Sequence, residues 1–264
     1  MRRSKIKAKL RNNEPVLVTT VHAMDPAFYE MVSLMGVDGL WMDLEHHACS
    51  IETAANLMRG ARVGTADMML RPAKGEFMRM GRMLECGAQG IMYPRCDNAA
   101  EAREVVRWSK FAPLGQRGLD SGNADNPFCS VPLEEYVREA NEQTFVVIQL
   151  EDPASLVHAR EIAEVDGVDV LFFGPGDFSV LAGTPGRMSG TPQVEEALRT
   201  ISEAAKAAGK HWGLPVGSTE QAQRMMDLGA TFLAFGADLI WVKNGIEQMR
   251  NQFGKLGFTF DGEF

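Results

Sequence analysis

The chain has 264 residues, 45% of them hydrophobic and 23% charged, with 27 Lys+Arg against 35 Asp+Glu and a formal net charge of −8. That balance argues against a basic nucleic-acid footprint and against attraction to an anionic membrane surface. The length accommodates one large α/β domain or two small ones, and either could bury a full core.

The first ten residues, Met1 to Leu10, are basic and lead into no apolar core of signal-peptide length. We read them as a short amphipathic helix lying over one end of the fold. From there on, short apolar runs alternate with amphipathic stretches. Strands are expected at 15–20, 39–44, 67–70, 90–94, 145–150, 168–173, 211–216 and 232–235. Helices are expected at about 26–35, 51–62, 75–86, 98–110, 153–164, 192–208, 218–228 and 238–252. Runs such as Phe145-Val146-Val147-Ile148 are continuous and not alternating, the pattern of strands buried on both faces of a parallel sheet. No run approaches the roughly 20 apolar residues of a membrane span.

Eight strand–helix units fit a (β/α)8 barrel (TIM barrel), whose usual size is about 250 residues. A doubly wound sheet usually carries a Gly-rich phosphate turn after its first strand, and Thr19-Thr20-Val21-His22-Ala23-Met24 is not one. No low-complexity linker divides the chain, so a single domain is expected over 1–264. The least regular stretch, 112–132, is rich in Gly, Pro and Asn, and a loop of that length is expected to be functional or part of an interface. Cys49, Cys86, Cys96 and Cys129 form no Cys-x-x-Cys pair and no dense disulfide framework. Free thiols in a reducing, cytoplasmic compartment are expected.

Barrel active sites are built at the C-terminal strand ends, so the polar residues after each apolar run are the candidates. Asp43, Glu45, His46 and His47 follow the second run, Arg71 the third and Arg95 the fourth; Gln149 and Glu151 close the fifth, and Gly174-Pro175-Gly176-Asp177 follows the sixth. Glu151 and Asp177 lie one strand–helix repeat apart, and two carboxylates with open positions suit Mg²⁺ or Mn²⁺. The plainer alternative makes them surface acids capping the next helix, since Asp152-Pro153 looks like a helix start. Gly174 and Gly176 could present backbone N–H groups to a substrate anion, or form only a turn. Arg71, held extended before Pro72, could stabilise an enolate or carboxylate oxygen, or simply pair with Glu45. His46 and His47 point opposite ways on an extended backbone, so at most one readily faces the mouth as a general base. Among the lysines only Lys74 comes near a strand end, which favours metal-assisted chemistry over a Schiff base.

Six stretches in register resemble the HpcH/HpaI-type class II pyruvate aldolases of the aldolase/citrate lyase family. They are Trp41-Met42-Asp43-Leu44-Glu45-His46, Leu70-Arg71-Pro72, Glu85-Cys86-Gly87-Ala88-Gln89-Gly90, Pro113-Leu114-Gly115-Gln116-Arg117-Gly118, Val147-Ile148-Gln149-Leu150-Glu151 and Gly174-Pro175-Gly176-Asp177-Phe178-Ser179. The resemblance implies a (β/α)8 barrel in a homo-oligomer, a hexamer or trimer, with the last helix exchanged between subunits. It implies that Glu151 and Asp177 hold Mg²⁺ or Mn²⁺ (Co²⁺ being a possible substitute), which chelates a 2-oxo acid. Arg71 would stabilise the enolate oxygen, His46 would act as the base through a water, and Gln149 and the amides around Gly176 would position pyruvate. The partners would be a 2-oxo acid and an aldehyde.

Three positions depart from the family pattern. Glu85 stands where an Asp from a neighbouring subunit supports the catalytic His, a role that Asp43 of the same chain could take instead. Leu44 replaces a Gly. Arg95 replaces an apolar residue, which leaves room for an acidic acceptor, or else an ion pair with Glu85 or Glu101. The expected reaction is metal-dependent cleavage of a 4-hydroxy-2-oxo acid into pyruvate and an aldehyde. The rivals are an acyl-CoA lyase of the citrate lyase beta-like type and a non-catalytic 2-oxo-acid-binding barrel.

Overall fold

Eight parallel strands pair in sequence order and close on themselves, β1 Val16–Thr20, β2 Gly39–Asp43, β3 Asp67–Arg71, β4 Gly90–Tyr93, β5 Phe145–Leu150, β6 Val170–Phe173, β7 His211–Val216 and β8 Phe232–Ala237. This is a (β/α)8 barrel, as the count of apolar runs anticipates; the computed structural model describes residues 1–262. The strands are mostly apolar because nearly all of their residues are covered on both faces. Val18, Trp41, Met69, Met92, Val147, Phe172 and Phe232 fill the barrel, while Leu40, Met42, Leu70, Ile91, Ile148 and Leu171 face the surrounding helices.

The basic N-terminal segment forms α1 (Lys5–Arg11), which plugs the bottom of the barrel with Ile6 and Leu10. Its anchor is the buried Asp67 carboxylate, which accepts from the Ser4 hydroxyl and from the Ile6 amide at 2.8 Å. The outer helices are α2 (Pro26–Leu34), α3 (Ile51–Ala61), α4 (Phe77–Glu85), α5 (Ala99–Ser109), α6 (Leu133–Gln143), α7 (Ala159–Ala163), α8 (Pro175–Leu181), α9 (Pro192–Ala208), α10 (Thr219–Asp227) and α11 (Asp238–Gly254). Several begin on a side chain that accepts a backbone N–H, namely Asp25, Ser50, Asn98, Thr191 and Ser218. Each such cap contributes about 1 kcal/mol and fixes where a strand–helix turn ends.

Three elements differ from the sequence expectation. The helix expected over 153–164 is split into a 3₁₀ turn, Ser155–His158, and the short α7. Helices α6 and α8 were not expected. The segment 112–132 carries no regular element, but it is pinned by a buried cluster in which Arg117 and the Tyr136 hydroxyl both donate to Asp125. No helix of the described residues is long and apolar enough to cross a membrane.

The last helix is unlike the others. Only Asp238 of α11 is buried, whereas Leu239, Ile240, Trp241, Val242, Ile246, Met249 and Phe253 are exposed. Leu17 of β1 and Phe235 of β8 are likewise exposed on the outside of the barrel.

Candidate active site

Strand register puts the first two site residues side by side, Asp43 of β2 opposite Arg71 of β3. Arg71 donates to Asp43 through two prongs, Nε to Oδ1 at 2.9 Å and Nη2 to Oδ2 at 2.5 Å. A two-pronged pair fixes both the position and the plane of the guanidinium. Burial alone would raise the Asp43 carboxyl, but the Arg71 bonds and charge outweigh it and hold the group below its ordinary value. Trp41, two residues before Asp43 and so on the same strand face, lies under the guanidinium at 4.8 Å. Glu45 Oε2 is further off, 3.4 Å from Nε. Asp43, and not Glu45, is therefore the main partner of Arg71.

Arg71 Nη1 lies 3.4 Å from Gln149 Oε1, and Gln149 Nε2 donates to Glu151 Oε2 at 3.1 Å. The other Glu151 oxygen accepts the Arg95 amide at 2.9 Å. Glu151 is 2% exposed, and burial, with the Asp177 and Glu45 charges adding to it, pushes its carboxyl up to about 7 against the pull of the Arg95 amide and Arg71. Gly174 makes room for this carboxylate, because a Cβ there would stand 1.9 Å from Glu151 Oε2. Asp177 sits in the first turn of α8, half-buried, so the short unforeseen helix and not the strand end delivers it.

This donor set fits a hard divalent cation. A buried carboxylate among like charges, with only neutral donors on its oxygens, is stabilised by a nearby positive charge. Among the described residues no group of three or more His, Cys, Asp or Glu is placed to hold a metal ion. A cation would thus rest on Glu151 and Asp177 alone, leaving its other positions to water and substrate oxygens.

The two histidines lie in the bend after β2 and take different directions. His46 is 56% exposed, with Nε2 3.5 Å from Glu45 Oε2. His47 turns inward, its Nε2 4.0 Å from Asp43 Oδ2 and its ring 4.2 Å from that of His22. Glu85 ends α4, half-buried, where its carbonyl accepts the Ala124 amide of the 112–132 segment. Burial pushes its carboxyl up, with the Asp125 and Asp120 charges adding and Arg117 and Arg82 opposing. Neither Glu85 nor Asp43 hydrogen-bonds to His46 among the described residues; both Asp43 oxygens accept from Arg71, and Oδ1 also accepts the Glu45 amide at 2.9 Å.

Arg95 pairs with neither Glu85 nor Glu101. Its Nη2 is 3.4 Å from Glu45 Oε1, and its backbone, at φ +44°, is held by its amide on Glu151 and by Lys74 Nζ, which donates to its carbonyl at 2.6 Å. Lys74 also pairs with Asp97 at 2.8 Å and is far from the desolvated state a Schiff-base amine needs. The residue that sequence reasoning missed at this site is Trp41; period-two alternation from Asp43 would have found it.

Clustered carboxylates, a clamped guanidinium and an amide gather at one end of a parallel barrel, the end at which barrel enzymes build their active sites. A family model described as HpcH/HpaI aldolase/citrate lyase matches residues 18–244. A hydroxypyruvate/pyruvate aldolase of Delftia acidovorans is 33% identical over 234 residues, which cover 88% of this chain and 86% of that protein. A 2-keto-3-deoxy-L-rhamnonate aldolase of Escherichia coli strain K12 is 28% identical over 260 residues, 98% of this chain and 97% of that one. The crystal structure of an HpcH/HpaI aldolase from Desulfitobacterium hafniense superposes with a TM-score of 0.85 at 26% identity, covering 93% of this chain and 96% of that one. The chain belongs to the HpcH/HpaI aldolase/citrate lyase family. Its class is that of the metal-dependent pyruvate aldolases, which are carbon–carbon lyases.

Proposed function

We propose that this chain cleaves 4-hydroxy-2-oxo acids into pyruvate and an aldehyde and catalyses the reverse condensation. The observation that carries the reading is the Arg71 guanidinium, fixed by Asp43 and Trp41 and aimed along Gln149 toward Glu151. Glu151 and Asp177 would hold the divalent cation, Mg²⁺ or Mn²⁺ with Co²⁺ as a substitute. Such a cation, when bound, neutralises charge on the carboxylate and keto oxygens of the oxo acid.

The remaining work falls to this chain's residues. Gln149 and the amides around Gly176 orient the pyruvate half, whereas the Gly174 amide is taken by the Leu150 carbonyl at 3.2 Å. His46, through a water, takes the 4-hydroxyl proton. The C3–C4 bond then breaks, its electron pair forms the C2=C3 bond of the pyruvate enolate, and the aldehyde departs. Arg71 stabilises the enolate oxygen as charge builds there, the role in which a preorganised donor contributes most. Protonation at C3 then gives pyruvate. Glu85 would support His46 from a neighbouring subunit.

Assembly as a hexamer or trimer with α11 exchanged is supported by the exposed apolar face of α11 and by the bare outer positions Leu17 and Phe235. A cytoplasmic location is supported by four free cysteines. Exhaustive chelation tests the reading: turnover falls to background and returns with Mn²⁺, while Lys74→Ala retains activity. Full activity after chelation, together with loss in Lys74→Ala, would instead establish imine chemistry.

A further inference from the structure

A second polar cluster stands at the barrel mouth, and the reaction above does not use it. Asp238 opens α11, and its carboxylate, 2% exposed, is turned back onto the turn after β1. Its Oδ2 accepts the backbone N–H groups of His22 at 2.8 Å and Ala23 at 2.7 Å. Its Oδ1 accepts the Leu239 amide at 2.8 Å and lies 2.8 Å from His22 Nδ1. Burial alone would raise this carboxyl, but the bonds outweigh it and hold the group below its ordinary value. An ionised carboxylate has no proton to give, so Nδ1 carries the hydrogen, and the imidazole is fixed in one orientation. A buried charge of this kind is weak evidence for stability, and orientation is the better account of it.

What the fixed ring faces is His47. The two ring centroids are 4.2 Å apart at an interplanar angle of 50°. His47 also brings Nε2 to 4.0 Å from Asp43 Oδ2, the same oxygen that receives Arg71 Nη2. Burial lowers the His47 pKa, and the two imidazoles meet as packing surfaces. A contiguous path thus runs from the start of the last helix to the reacting end of the site, through Asp238, His22, His47 and Asp43 to Arg71.

We propose that His22, locked by Asp238, is a positioning residue of the aldol site: its ring holds His47 against Asp43 and thereby sets the angle at which Asp43 presents the Arg71 guanidinium. The inference rests on the reading of Arg71 as the group that meets the developing enolate charge. The tolerance at such a group is small, since a misplacement of about 1 Å costs on the order of 10²-fold in rate.

The test is steady-state cleavage of 4-hydroxy-2-oxopentanoate by the full chain at saturating Mn²⁺, with melting temperature as the folding control. His22→Ala lowers kcat by about tenfold and leaves KM within about twofold, the signature of a contact that matters only in the transition state. His22→Asn keeps a donor for Asp238 but has no ring to set against His47, so it loses kcat as the alanine variant does. His47→Ala loses a similar factor, and the double variant His22→Ala/His47→Ala is no worse than either single one, because both interrupt one path. Wild-type kcat in folded His22→Ala, recovery of kcat in His22→Asn, or losses that multiply in the double variant would each overturn the inference. If His22→Ala does not fold, His22→Asn and His47→Ala carry the same test. Arg71→Ala separates the two levels: retained turnover overturns the reading of Arg71 and this inference with it. An inactive Arg71→Ala beside fully active His22 and His47 variants overturns this inference alone.

Discussion

Replacing Gly174 by alanine isolates the proposed cation ligand without touching it. The backbone at Gly174, φ −100° and ψ 89°, is open to alanine, so the added methyl acts through contact and not through strain. That methyl would stand 1.9 Å from Oε2, 2.7 Å from Cβ and 2.9 Å from Cδ of Glu151. Relief requires the carboxylate to retreat by about 1 Å or more, since non-bonded heavy atoms settle at about 3.5 Å. The Arg95 amide donates to Oε1 and Gln149 to Oε2, so retreat also breaks hydrogen bonds. Overpacking of this kind destabilises by about 1–3 kcal/mol. Displacing a ligand by that distance lowers cation affinity by at least the ~10–100-fold seen for lost supporting contacts. Turnover at saturating cation falls by roughly 10²-fold from misplacement alone. Calorimetric titration with Mn²⁺ and cleavage kinetics measure the two effects. A folded Gly174→Ala protein with wild-type Mn²⁺ affinity and wild-type kcat would show that Glu151 is not the ligand.

Two further outcomes follow. His46→Ala lowers kcat on the order of 10²–10⁴-fold, as for loss of a general base, and an unchanged rate would remove His46 from that role. At the other end of the barrel, burial raises the Asp67 carboxyl to about 6, against the pull of the Ser4 and Ile6 hydrogen bonds. The folded state therefore keeps a proton that the unfolded state releases near pH 4, so stability falls as pH rises from about 4 to about 6, by a total of about 3 kcal/mol. Asp67→Asn accordingly melts higher than wild type at pH 7–8, and the two converge toward pH 4. A variant that melts lower by the same margin at both pH values would contradict the assignment.

The barrel was legible in the sequence because parallel strands buried on both faces are written as continuous apolar runs, and all eight fall where such runs occur. Helices α6 and α8 were not legible, for separate reasons. In α6 only Tyr136 and Ala140 are buried, too few to raise an apolar stripe above the acidic background. The seven residues of α8 begin with Pro175-Gly176, which reads as a turn. At the site, topology alone brought Asp43, Arg71, Gln149 and Glu151 to one end of the barrel. What remained hidden were pairings that depend on register and side-chain direction. The Asp43–Arg71 clamp needs the β2–β3 alignment, the capping of Lys74 needs the Arg95 carbonyl, and the inward turn of His47 needs the His22 ring. The bond between His22 and Asp238 joins residues 216 positions apart, a contact made only when β1 closes against β8.

The central claim is that a cation held by Glu151 and Asp177 lets this chain form the pyruvate enolate. Proton exchange at the pyruvate methyl in deuterated water, followed by NMR without any aldehyde present, measures that step directly. The account predicts exchange with Mg²⁺ that is abolished by exhaustive chelation and by Glu151→Gln. Exchange that survives both treatments, or no exchange with the cation demonstrably bound, would contradict it.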